Sequence, residues 1–244
     1  MLAMLVSFVD RQVITLLVQP IRQDLGINDT QISLLMGFAF AIFYVLMGVP
    51  IARLSDRYNR RNIIAAGIFL WSLATAACGL AKNFTHLFLA RIGVGVGEAT
   101  LTPAAYSMIA DYFPKEKLGR ALGVYSTGVY LGAGVATVAG GAAVKLISQA
   151  NPVELPLLGT VAPWQMTFMV VGLPGLLLVL VMMLSIREPA RKDVNERIDS
   201  AAGAVPIREV LAFIWKNRGT FGSIFIGYAF GGMAFYRFLF WMPE

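Results

Sequence analysis

Cysteine and histidine are almost absent: Cys78 and His86 each stand alone in 244 residues. A disulfide framework needs paired cysteines and a structural zinc site needs several Cys or His ligands, so both are excluded. His86 has neither a nucleophile nor a metal partner, and no catalytic constellation is present; the chain reads as a non-enzyme that needs no cofactor or metal. Charge is scarce too, at 14% of residues, where soluble domains carry about 25%. What remains is apolar, 57% of the chain with mean hydropathy +0.69, so a single soluble domain is excluded.

The apolar residues come in runs. Residues 32–52, 62–81, 121–144 and 166–186 contain no Asp, Glu, Lys or Arg, and each reaches the roughly 20 residues that cross a bilayer as helix. Three further runs carry buried-looking charges: 1–21 with Asp10 and Arg11, 84–112 with Arg91 and Glu98, and 219–242 with Arg237. Seven membrane helices are expected. Residues 1–21 are expected to be a membrane helix, with a secretory signal the disfavoured alternative, because no basic segment precedes the run and Asp10-Arg11 interrupts it. The chain opens inside one apolar helix and stops at the far end of another, so both ends read as cut.

The excess of twenty Lys and Arg over fourteen Asp and Glu gives +6, and its placement decides its meaning. Fourteen of the basic residues fall in the loops after the second, fourth and sixth runs, whereas Arg22, Lys82 and Lys145 serve the other loops and three arginines lie inside runs. Positive charge is retained on the cytoplasmic side, which places the even-numbered loops there. The basic balance is thus a topology signal and nucleic acid is excluded as a partner; the partner is the lipid bilayer. A bacterial inner (plasma) membrane is the expected location.

Domain organisation follows from the longest polar stretch. Residues 1–186 form a six-helix transmembrane domain, 187–218 a cytoplasmic linker, and 219–244 the first transmembrane helix of a further domain. Within the linker Ile207, Val210, Leu211, Ile214 and Trp215 form one apolar stripe, the pattern of an amphipathic helix lying on the inner leaflet or on the bundle.

Ionisable groups deep in a membrane are expensive and usually face partners or a water-filled cavity. Glu98 falls midway along the fourth run, and Arg91 lies seven residues, or two turns, before it on the same side. Asp10 and Arg11 are at similar depth in the first run. The four form either a charge-balanced network lining a cavity, with Glu98 or Asp10 able to take a proton, or a static clasp between helices. Arg237, beside Tyr236 on the seventh run, either snorkels to the interface or meets an anionic substrate. Gly128, Gly132, Gly134, Gly140 and Gly141 give the fifth run a small-residue face for close packing.

The loop after the second run reads Arg53-Leu54-Ser55-Asp56-Arg57-Tyr58-Asn59-Arg60-Arg61. It resembles the major facilitator superfamily signature G-x-L-A-D-R-x-G-R-R at Leu54, Asp56, Arg57, Arg60 and Arg61, with Ala52, Ser55 and Asn59 departing from it. The Asp-Arg-Tyr-Asn-Arg-Arg form is similar to the Spinster-type branch, as are Asp10-Arg11, Trp71-Ser72-Leu73-Ala74-Thr75, Arg91 to Ala99 and Asp111-Tyr112-Phe113. The resemblance covers the whole chain. It implies an all-α membrane protein: a six-helix half-bundle built as a 3+3 inverted repeat, followed by the linker and a seventh helix, with the other half of a twelve-helix transporter missing. It further implies alternating access for a small organic solute, an amphipathic lipid-like molecule or an organic anion, coupled to protons or facilitative. Sugar acids and drugs are included in the facilitative case. By resemblance, Asp10, Arg11, Arg91 and Glu98 are the cavity network and proton site, and Asp56 and Arg57, with Arg60 and Arg61, belong to the cytoplasmic gate. The antiporter signature expects Gly-Pro in the fifth helix, where Gly132-Ala133-Gly134 has no proline. A receptor or scaffold on the same frame is the alternative of a different class.

Overall fold

The computed structural model describes residues 1–148, 153–155, 159–191 and 207–241. The chain divides into two compact units, Met1–Ala190 and Arg191–Glu244.

Among its described residues the first unit is built of helices and one pair of short strands. Its helices are α1 (Leu2–Leu16), α2 (Val18–Leu25), α3 (Asp29–Ser33), α4 (Ala39–Arg57), α5 (Arg60–Cys78), α6 (Phe84–Glu98), α7 (Leu101–Tyr112), α8 (Lys115–Val135), α9 (Gly141–Ser148) and α10 (Pro163–Ser185). Strands β1 (Val153–Leu155) and β2 (Gly159–Val161) pair antiparallel, with Val153 opposite Val161. Wide π turns at Leu34–Phe38 and Ala136–Gly140 join α3 to α4 and α8 to α9.

Four of these segments are long and apolar enough to cross a membrane: Asp29–Arg57, Arg60–Cys78, Lys115–Val138 and Pro163–Ser185. They coincide with the four uncharged runs. The two charged runs of this unit are not the single rods that the sequence suggests. The first bends by 56° between α1 and α2. Pro20 has no N–H to give the carbonyl of Leu16, so the ladder breaks there, and Leu17 N–H turns instead to Ile14 O at 3.1 Å. The fourth run is interrupted at Ala99–Thr100. Pro103 cannot bond the carbonyl of Ala99, and the Thr100 hydroxyl donates to Gly97 O at 2.8 Å.

Packing is inverted relative to a soluble bundle. On α10, Phe168, Gly172, Gly175 and Met182 face inward, whereas Leu173, Leu177, Leu180 and Leu184 form an exposed stripe. An exposed leucine row is unfavourable in water and suited to lipid. Inside, α5 lies against α6 and α10, and α1 lies against α8 and α10. Ile68, Trp71, Val94 and Ala104 centre one cluster, and Leu17, Leu35, Leu87 and Phe168 centre another. The expected glycine face operates in part. A side chain at Gly132 would lie 2.7 Å from Phe8 Cβ and 2.8 Å from Leu5 O, so only hydrogen lets α8 approach α1 this closely, while Gly134 and Gly141 face open space.

In the second unit α11 (Ile207–Lys216) and α12 (Arg218–Trp241) follow one another. Val210, Leu211 and Trp215 are exposed on α11, and the Arg218 guanidinium lies 5.6 Å from the Trp215 ring. Helix α12 covers the seventh predicted run. Residues 192–206 of the linker lie outside the described residues, as do the side chains of Tyr236 and Arg237.

Candidate functional site

Helices α1 and α6 carry the acids and bases singled out above. Glu98, the last residue of α6, is fully buried. Its Oε2 accepts from Arg11 Nε at 2.5 Å and from the Ser7 hydroxyl at 2.7 Å, both on α1. Residues 7 and 11 are one turn apart, so one face of α1 presents both donors to one oxygen. Glu98 Oε1 has no hydrogen-bond partner in the protein. Asp10 is 1% exposed and neither of its oxygens is hydrogen-bonded; it lies within electrostatic reach of Glu98, Arg91 and Trp71. Arg91 is 2% exposed, and its Nε has no acceptor.

The structure thus brings the four residues together, with one refinement. Arg11, not the same-helix Arg91, takes Glu98. Arg11 also sits among rings: its guanidinium carbon is 5.2 Å from the Phe8 centroid, 4.6 Å from Phe40 and 4.9 Å from Tyr44. Arg91 is 5.5 Å from Phe40. Buried polar atoms without hydrogen-bond partners thus lie beside a half-buried arginine whose charge is shared between a carboxylate and ring faces. Ser7, Phe40 and Tyr44 were missed in the sequence. The aromatic spacing 40 and 44 is one helical turn, the signal that could have found them.

A second polar cluster ties helix ends together. Arg60, at the start of α5 and 1% exposed, donates Nε to Glu188 Oε1 at 2.7 Å and Nη1 to the Ser107 hydroxyl at 2.9 Å. Nη1 also reaches Asp111, and Nη2 the carbonyl of Pro189 at 3.2 Å. The Arg61 N–H donates to Glu188 Oε2 at 2.8 Å, and its guanidinium to Met183 O at 3.2 Å. The Tyr112 hydroxyl donates to Arg187 O. Burial pushes the Glu188 carboxyl up, but the bonds from Arg60 and Arg61 outweigh it and hold it below its usual 4.5. Of the loop motif, then, Arg60 and Arg61 are built into this cluster, whereas Asp56 and Arg57 are exposed at the end of α4. Glu188 lies 128 residues from Arg60, and only its position directly after an apolar run marks it in the sequence.

A helical bundle with several long apolar helices and an exposed leucine face defines a multi-pass integral membrane protein. The pattern of the Major Facilitator Superfamily matches residues 1–244, and the chain belongs to that family; within it the chain is similar to Spinster proteins. A crystal structure of a bacterial homologue of the human lysosomal transporter Spinster, in an inward-facing and unoccupied conformation, superposes with TM-score 0.70 at 38% identity, covering 84% of this chain and 44% of that one. The probable L-galactonate transporter of Escherichia coli is 28% identical over 99% of this chain and 51% of its own length. The human protein spinster homolog 1 is 29% identical over 80% of this chain and 34% of its own. The chain therefore spans about half, or less, of the length of these relatives.

Proposed function

We propose that residues 1–186 are one half of a secondary transporter that moves a small organic anion or amphipathic solute by alternating access, coupled to protons at the Asp10–Arg11–Arg91–Glu98 network. The linker 187–218 and the helix from 219 then lead into the second half, with the loops carrying Arg60, Lys115 and Arg187 in the cytoplasm of a bacterial inner membrane. The observation that carries this reading is Glu98, buried inside the helical bundle with Oε2 held by Arg11 and Ser7 and Oε1 free of protein donors. Protonation of Glu98 would release Arg11 from its ion pair and offer the guanidinium to a solute carboxylate or phosphate, which a planar fork matches in two-point fashion. Relatives named for sugar acids such as L-galactonate fit that chemistry. Asp56, Arg57, Arg60 and Arg61 would bias the inner gate, and Tyr236 and Arg237 would contact solute from the second half.

The test is uptake by the whole protein in proteoliposomes, with sugar acids and lysolipids offered with and without an inward proton gradient. Accumulation against a gradient only when protons are supplied supports coupling; saturable but gradient-independent flux would make the Arg11–Glu98 pair a static clasp in a facilitative carrier.

A further inference from the structure

Phe40 is half-buried on α4 and carries no charge, yet it is the ring common to both arginines, at 4.6 Å from Arg11 and 5.5 Å from Arg91. Two features seat it there. The π turn Leu34–Phe38, in which Ala39 N–H reaches Leu34 O, ends just before it; such turns shift a helix face by a residue and recur at functional sites. Gly95 on α6 lies against its backbone, since a side chain at Gly95 would meet Phe40 O at 2.6 Å. Below the ring, Tyr44 stacks at 5.5 Å between centroids and its hydroxyl is 3.4 Å from that of Thr102.

We propose that Phe40 is a positioning residue, a shared ring shelf that keeps the Arg11 guanidinium in the cavity when Glu98 is neutral. This deepens, and rests on, the reading of Glu98 as the proton acceptor. When a proton settles on Glu98 the Arg11–Glu98 ion pair is lost, while the ring faces against the guanidinium stay in place and favour a cation there. The rings of Phe8, Phe40 and Tyr44 provide one, and Phe40 alone also engages Arg91, so it fixes the spacing of two like charges. The titratable groups around the pair are Asp10 on α1, Arg91 on α6, Cys78 on α5, Tyr44 on α4, Tyr106 on α7 and Tyr125 on α8; none of them supplies a ring to both arginines.

The experiment uses the whole chain, labelled with 15N-arginine, in lipid nanodiscs, with Arg11 assigned through Arg11→Lys. In Glu98→Gln, which imitates the protonated acid, the Arg11 Nε–H signal is expected to keep its ring-current displacement. In Glu98→Gln/Phe40→Leu the displacement is lost, and in Glu98→Gln/Phe40→Tyr it is retained. Gly95→Ala, which pushes Phe40 by a separate route, should reproduce the loss in the same background. An Arg11 signal unmoved by Phe40→Leu, or moved equally by Phe40→Tyr, overturns the proposal. Infrared titration of the Glu98 carboxyl, isolated as wild type minus Glu98→Gln, separates the underlying reading. A Glu98 that takes up no proton from solution defeats the proton reading while the arginine signals still decide the shelf.

Discussion

Arg60 uses most of its guanidinium donors on groups from two other segments: Ser107 and Asp111 on α7, and Glu188 and Pro189 just after α10. Removing a buried cation from its carboxylates typically costs about 3–5 kcal/mol, and a lysine cannot reproduce the fork. Arg60→Ala and Arg60→Lys are therefore both expected to lower the thermal midpoint in detergent clearly; a midpoint within a degree or so of wild type would mean that the cluster holds nothing. Glu188 adds a pH dependence of definite sign. Its carboxyl is held below 4.5 in the folded protein, so its contribution is complete above that value and fades as pH falls through the lower native one. Glu188→Gln should be less stable than wild type near neutrality, and the gap should close on acidification. A gap that is constant or widens in acid would assign the loss to packing.

At the scale of elements, the two glycines Gly132 and Gly134 on α8 make a matched pair. Gly132→Ala must force Phe8 and Leu5 aside and is expected to cost about 1–3 kcal/mol, as overpacking does. Gly134→Ala, facing open space, should be neutral or stabilising by up to about 1 kcal/mol. Denaturation of the two variants side by side measures this, and equal losses would place α1 elsewhere. The sequence shows a glycine face but not which of its members touch, because contact depends on where a neighbouring helix lies. The same division runs through the fold. Runs without charge declare the spans through their length, and the Asp10–Glu98 depth match follows from counting residues along two helices. The bend at Pro20 and the break at Ala99–Thr100 are carried by single prolines inside otherwise continuous apolar stretches, which length alone hides. The π turn before Phe40 leaves no compositional trace, so the ring's place beside two arginines emerges only in three dimensions. Likewise, nothing local to Arg60 announces Glu188; their meeting is a property of three helix ends.

At the scale of the molecule, the proposed orientation places Lys115 inside and Lys82 outside. With the buried Cys78 replaced, a cysteine at Lys115 should react in intact cells only with a membrane-permeant reagent, and one at Lys82 also with an impermeant reagent; the reverse pattern would invert the topology. The first unit carries its own packed interior, and residues 1–244 alone are expected to insert and remain helical. Alternating access, however, rocks one half against the other around a site between them, so this chain alone should show no saturable flux in liposomes. Saturable, inhibitable uptake by it would point to two copies working as the two halves. The most direct measurement of the central claim compares wild type with Glu98→Gln in the whole protein, scoring proton-driven accumulation and solute counterflow in the same proteoliposomes. Glu98→Gln is expected to abolish accumulation while counterflow persists; accumulation at the wild-type level would contradict the assignment of the proton to Glu98.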